Sequence, residues 1–119
     1  MEVVRYKLWS GCCLVAKCNG VASFTGLVAG KQPPTMREQV DQILARYTDL
    51  IQEYGLKMEN LIEARAYSND ITRSQDFHDA MKAWCADYPM PNCTLVGAAP
   101  SSTYMLELGL HFACPVDEN

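Results

Sequence analysis

The sequence predicts a single α+β domain in which two helices cover one sheet, and three observations carry that reading. Apolar residues recur at intervals of three and four in the stretches 35–55 and 74–88, the spacing of a helical stripe. Around them lie short runs with the two-residue alternation, or the continuous apolar character, of strands. A chain of 119 residues can bury one core but is too short for a second. The expected order is βββαβαββ in one domain spanning residues 1–119. Both helices can then lie on one face of a mixed sheet, leaving the other to be buried by something else. A second copy of the same chain is the economical answer.

Residues 3–9 (VVRYKLW) make a first strand, broken by Ser10 and Gly11 before a second run at 12–18. Asn19-Gly20 follows directly, and both residues tolerate the positive φ of a type I′ turn, so 12–18 should pair antiparallel with a third strand at 21–28. The segment 30–34 (GKQPP) cannot continue a strand, because its prolines remove donors. Thr35 can then cap a helix with Glu38 reaching back to it, and Gly55 supplies the left-handed residue that ends many helices. Met36, Val40, Ile43, Leu44, Tyr47, Leu50, Ile51 and Tyr54 form its apolar stripe, while Arg37, Gln39, Gln42, Arg46, Asp49 and Gln52 fill the opposite face.

After a short connection, 61–68 sets Ile62, Ala64 and Ala66 against Glu63, Arg65 and Tyr67, the alternation of a strand. Ser74 or Asp76 can cap a second helix whose apolar positions are Phe77, Met81, Trp84, Cys85 and Tyr88, and Pro89 stops it. Residues 93–97 read as a short buried strand. The last strand, 104–113, carries Met105, Leu106, Leu108, Leu110 and Phe112 and reads as apolar on both sides, suited to the middle of a sheet or an oligomer interface.

The formal charge of −4, without a basic run, argues against a nucleic-acid partner. Lys7 and Lys17 interrupt the first twenty residues, and no apolar run approaches the roughly 18–20 residues of a membrane span. No membrane partner is expected, and the expected location is cytoplasmic. The six cysteines sit mostly within apolar patterns, as Cys85 does beside Trp84, which favours free thiols over a disulfide scaffold. There is no C-x-x-C, and the two histidines, His78 and His111, lie far apart, so neither a metal nor a cofactor is expected.

Thr25-Gly26, the helix ending EYGLKMENLIEARAYSND, the Tyr88-Pro89 stop, the strand at 93–97 and the terminal MLELGLHFA stand in the order and spacing of one family. Over about residues 20–113 the chain resembles the RidA/YjgF family of small trimeric proteins. The resemblance implies a chorismate-mutase-like α+β fold and a homotrimer whose sheets form a central barrel. It also implies three intersubunit clefts that bind small carboxylate-bearing metabolites, and active members hydrolyse reactive enamines and imines. Departures are equally plain. In the family's P-x-R-S-C segment an arginine binds the substrate carboxylate; here the segment is Pro89-Met90-Pro91-Asn92-Cys93, with Pro91 at the arginine. The I-G-P-Y segment, whose tyrosine lines the cleft, maps within Leu8–Cys13, around Ser10 and Gly11, with Cys12 at the tyrosine in the gapless alignment. The catalytic glutamate of the last strand falls on Gly109, leaving Glu107 as its substitute.

Each candidate residue has two readings. Cys93 is either a nucleophile at a cleft edge or a small buried hydrophobe, and of Cys12 and Cys13 only one can line a given cavity, with Cys12 favoured. Arg65 either pairs with Glu63 or Glu107 or replaces the missing carboxylate clamp, with Tyr67 on the same face beside it. Glu107 lies among apolar residues in sequence, where desolvation suits it to general acid–base work, and an ion pair is the alternative. The catalytic candidates are therefore Glu107, Cys93 and Cys12, and the substrate-binding candidates are Arg65, Asn92, Ser10, Gly11 and Tyr67. Two functions follow: a hydrolase or deaminase of a small imine, enamine or amide at an intersubunit cleft, or a non-catalytic trimeric module that binds or senses a metabolite.

Overall fold

Two crossover connections decide the architecture. The computed structural model describes residues 2–9, 11–100 and 103–115, and among them seven strands form one sheet. In chain order the elements are β1 (Val4–Trp9), β2 (Cys12–Cys18), β3 (Val21–Phe24), β4 (Leu27–Val28), α1 (Met36–Glu53), β5 (Leu61–Ser68), α2 (Ser74–Cys85), β6 (Asn92–Gly97) and β7 (Leu106–Ala113). The strands lie in the order β1-β2-β3-β7-β5-β6, with β4 also paired to β7. β7 is antiparallel to both β3 and β5, so those two run the same way on either side of it, and α1 links them. α2 links β5 to its parallel neighbour β6. Both crossovers step across the sheet in the same direction, and such connections are right-handed in nearly all proteins. Both helices therefore land on the same face, and the other stays open.

The core lies between that face and the helices. Val40, Ile43, Leu44 and Tyr47 of α1 and Phe77 and Met81 of α2 are buried in one cluster with Leu106, Leu108, Leu110 and Phe112 of β7. Those four β7 residues occupy alternate positions, so they point the same way. The expectation of a last strand apolar on both sides is thus corrected: its second face carries Glu107, Gly109, His111 and Ala113, all partly exposed, and Met105 lies outside the strand.

Two bulges adjust the sheet. The third strand, expected unbroken, divides at Thr25-Gly26. Ser23 pairs with His111 and Leu27 with Leu108, so four steps on one side match three on the other and one extra residue is accommodated. Tyr47 seals the gap from α1, donating its hydroxyl proton to the Leu108 carbonyl at 2.8 Å, with the Thr25 carbonyl at 3.3 Å. In β5 the shift between Leu61 and Glu63 makes Ile62 the extra residue, which turns it outward instead of joining Ala64 and Ala66 in the core.

Local chemistry explains the boundaries. Thr35 and Glu38 form a capping box, with the Glu38 amide donating to Thr35 Oγ1 at 3.2 Å and the Thr35 hydroxyl to Glu38 Oε1 at 2.7 Å. Gln39, expected on the solvated face of α1, is buried; its amide donates to the Pro33 carbonyl at 3.0 Å and accepts from the Met105 amide at 3.0 Å, tying the proline loop to β7. Asn19 and Gly20 take φ of 51° and 85° in the hairpin turn. Neither Ser74 nor Asp76 caps α2: a 3-10 turn at Ile71–Arg73 leads into it, and Asp70 caps that turn through the Thr72 amide at 3.0 Å.

α2 stops at Cys85, before Pro89, because Ala86 takes φ 50° and ψ −116°, a region that glycine enters far more readily. Tyr88 consequently lies beyond the helix and exposed. Replacing Ala86 by Gly should relieve strain of roughly 1–3 kcal/mol, less about 0.5–1 kcal/mol for glycine's greater freedom when unfolded. The melting temperature of A86G should rise by roughly 2–4 °C, and a scanning-calorimetry value at or below that of the wild type would refute the assignment.

Candidate functional site

Strand register assembles the candidate site on the open face. Glu107 pairs with Val28 and with Tyr67, which pairs with Val96. In the next row Gly109 faces Arg65, which faces Thr94. A third row runs from Ser23 through His111 and Glu63 to Asn92. Because β7 and β5 alternate in step, every charged group of the two central strands lies on this one side.

The Glu63 carboxylate stands between the Arg65 guanidinium and the His111 imidazole, 3.5 Å from Arg65 Nη2 and 3.5 Å from His111 Nδ1. These contacts are long, and the Arg65 side chain is 46% exposed, so the pairing holds the guanidinium only weakly. Gly109, directly opposite, presents no side chain to crowd it.

Glu107 is seated by the bulge. A methyl group on Gly26 would come within 2.5 Å of Glu107 Oε2 and 2.7 Å of its Cγ and Cδ, so the carboxylate side chain occupies the space that glycine leaves open. The apolar residues that flank Glu107 in sequence point to the opposite face; its real neighbours are Gly26, Tyr67 and Val28, and it is partly exposed. Desolvation by its sequence neighbours is therefore not what this strand provides.

The other candidates fall elsewhere within one chain. Cys93 pairs with buried Ala64 on the helix side, turned away from Glu107, and its Sγ is 3.7 Å from the Pro91 carbonyl. Burial pushes its thiol above the ordinary range, the reverse of what a thiolate nucleophile needs. That corrects its assignment as a nucleophile. Cys12 is exposed and lines a cavity of about 570 Å³ with Cys13, Leu8, Trp9, Gly11 and Thr25, in the β1–β2 hairpin next to the bulge, so the expectation that only one of the two cysteines could line a given cavity is corrected. Ser10 lies outside the described residues. Asn92 is exposed at the start of β6, opposite Glu63. All six cysteines are free. Among the described residues no group of three His, Cys, Asp or Glu could hold a metal ion, and no helix is long and apolar enough to cross a membrane.

Glu63 and His111 are the residues that sequence reasoning left out. The two-residue period sets Glu63 on one face with Arg65; what no local pattern contains is the register that brings β5 and β7 together.

The family model described as endoribonuclease L-PSP matches residues 14–108, most of the chain, from within β2 to within β7. The chain belongs to this family, which takes in the RidA/YjgF proteins. No curated protein matches the chain in sequence. Solved structures of L-PSP relatives share its fold. A member of the YjgF protein family from Neisseria meningitidis superposes with a TM-score of 0.88 over 98% of each chain, at 19% identity. An uncharacterized protein from Pseudomonas aeruginosa gives 0.87 over 96% of this chain and 100% of that one, at 16% identity. YyfA from Yersinia pestis, a Rid-family protein of unknown function, gives 0.82 over 89% and 90%, at 12% identity. At these identities the likeness is one of fold: two helices packed on one face of a mixed sheet.

Proposed function

We propose that this L-PSP-family protein is a hydrolase of a small imine, enamine or amide, acting at a cleft completed when copies of the chain pack their open sheet faces together as a homotrimer. The observation that carries this reading is the placement of Glu107, Tyr67 and Arg65 in adjacent rows of the uncovered face. Arg65 is a loosely held cation suited to a substrate carboxylate. Glu107 is a carboxylate that can take a proton from water as the water oxygen attacks the C=N carbon and pass that proton to the nitrogen, giving a carbinolamine. The Glu107 carboxylate then takes the carbinolamine's hydroxyl proton and delivers it to nitrogen as the C–N bond breaks, releasing the carbonyl compound and ammonia.

One observation favours a second reading. Pro91 stands where the family's deaminating members are expected to bind carboxylate, and it contributes neither charge nor a backbone donor. A binding or regulatory trimer without chemistry would tolerate that change. The chain's net charge of −4 gives no support to an RNA substrate.

Release of keto acid and ammonia from freshly generated 2-iminopropionate separates the readings. Wild-type turnover is expected, slower than in an arginine-bearing relative and raised by P91R. R65A should lower it about 10- to 100-fold, the worth of a charged hydrogen bond, and E107Q by about 10²- to 10⁴-fold. A trimer with no turnover would leave the binding reading standing, whereas sedimentation as a stable monomer at micromolar concentration would remove the cleft from both.

A further inference from the structure

At the opposite end of the sheet the β1–β2 hairpin, the connection 55–60 and the end of β7 enclose a cavity of about 560 Å³. Six residues separate Glu107 from Ala113 on its wall, a span of about 20 Å along a strand. This cavity therefore cannot be part of the site around Glu107.

Its walls combine two chemistries. Tyr6 and Tyr54 present their rings, with centroids 5.4 Å apart and planes inclined at 59°, and apolar Val4, Val21 and Leu56 line the space beside them. Lys17 and Lys57 also line it, with Glu2 the single carboxylate among the lining residues. Lys17 is held in place: its Nζ donates to the Tyr54 carbonyl at 3.3 Å and lies 5.6 Å from the Tyr6 ring centroid and 6.0 Å from that of Tyr54. An ammonium has three N–H donors, and this contact uses one.

We infer that this cavity is a second ligand site, taking a small aromatic phosphomonoester. A planar ring can lie against the wall that the paired tyrosines present to the cavity, beside Val4, Val21 and Leu56, where aromatic contact and apolar burial favour it. The doubly charged phosphate matches two ammonium groups better than a singly charged carboxylate would, and Lys17 is already anchored, so little side-chain freedom is lost when it binds. The site is independent of the hydrolase reading, because none of the residues assigned to that reaction lines it.

Phenyl phosphate is the probe. Titrated into the ¹⁵N-labelled full chain, it should give saturable shifts confined to the amides of Lys17, Asn19, Gly20, Gly55 and Lys57. Inorganic phosphate and benzyl alcohol, each carrying half of the recognised chemistry, should bind at least tenfold more weakly. K57M, at an exposed position, should weaken phenyl phosphate about tenfold with the spectrum otherwise unchanged, and K17M by at least as much. R65A should leave the affinity within twofold. Shifts that never saturate, equal binding of benzyl alcohol, full affinity in K57M, or loss in R65A would each overturn the proposal.

Discussion

Replacing Tyr47 by Phe should cost about 2 kcal/mol of stability, although it removes only one oxygen atom. That oxygen reaches from α1 to the break between β3 and β4. Its proton goes to the Leu108 carbonyl at 2.8 Å, in the middle of the buried strand. Phenylalanine would leave that carbonyl unpaired, and an unsatisfied buried acceptor costs roughly 1–3 kcal/mol. In a chain of this size the loss corresponds to a melting temperature lower by about 8 °C. The wild type offers a second signature. Burial pushes the Tyr47 hydroxyl above the ordinary phenol range, so the folded state keeps a proton that the unfolded chain releases near pH 10. The contribution of Tyr47 is thus complete below pH 10 and lost as pH rises through its folded value. Stability should fall above pH 10 more steeply in the wild type than in Y47F. Equal melting temperatures at neutral pH would show that the hydroxyl is not the seal.

The second large effect is expected at Gly26. A methyl group there collides with Glu107 at 2.5 Å, but the colliding atoms belong to the far end of a flexible side chain, which can swing away. G26A should therefore fold with a nearly unchanged melting temperature while losing the placement of Glu107. If Glu107 handles the proton in hydrolysis, turnover should fall by about 10²-fold or more, approaching E107Q. The double variant G26A/E107Q should be no worse than E107Q alone, because both changes remove one function. Full activity in G26A, or additive losses in the double variant, would show that Gly26 does not act through Glu107.

The elements most legible in the sequence were those whose signals are local. α1 carries its cap box at Thr35, its stripe of apolar residues and its stop at Gly55 in contiguous sequence, and Asn19-Gly20 specifies a hairpin without reference to anything distant. The corrections arise where tertiary structure intervenes. Gln39 looks solvated on a helical projection, yet the proline loop and β7 close over it because its amide satisfies a donor in one and an acceptor in the other. Ile62 keeps its place in an alternating pattern, and a bulge turns it out. The candidate site was half legible for the same reason. Alternation places Glu63, Arg65 and Tyr67 on one face, but the register that sets Tyr67 against Glu107, and Glu63 against His111, joins segments some forty residues apart. The seat of Glu107 on Gly26 depends on the bulge in β3 and β4, which no local pattern announces. The two readings of Cys93 stayed open in the sequence because a cysteine beside a proline loop reads alike whether it faces the core or a cleft.

The position of β7 also dictates how this chain must be born. It is the last strand in chain order and the central one in the sheet, wedged between β3 and β5. While a ribosome has released only the segments up to β6, those two strands have helices to lie under but no shared partner between them, and their unpaired edges and half of the apolar core face solvent. β3 and β5 cannot be joined until β7 threads between them, which makes the decisive contacts long-range and folding slow relative to a helical protein of equal length. Until β7 is in place, the edges of β3 and β5 that it covers stay open to association with other chains.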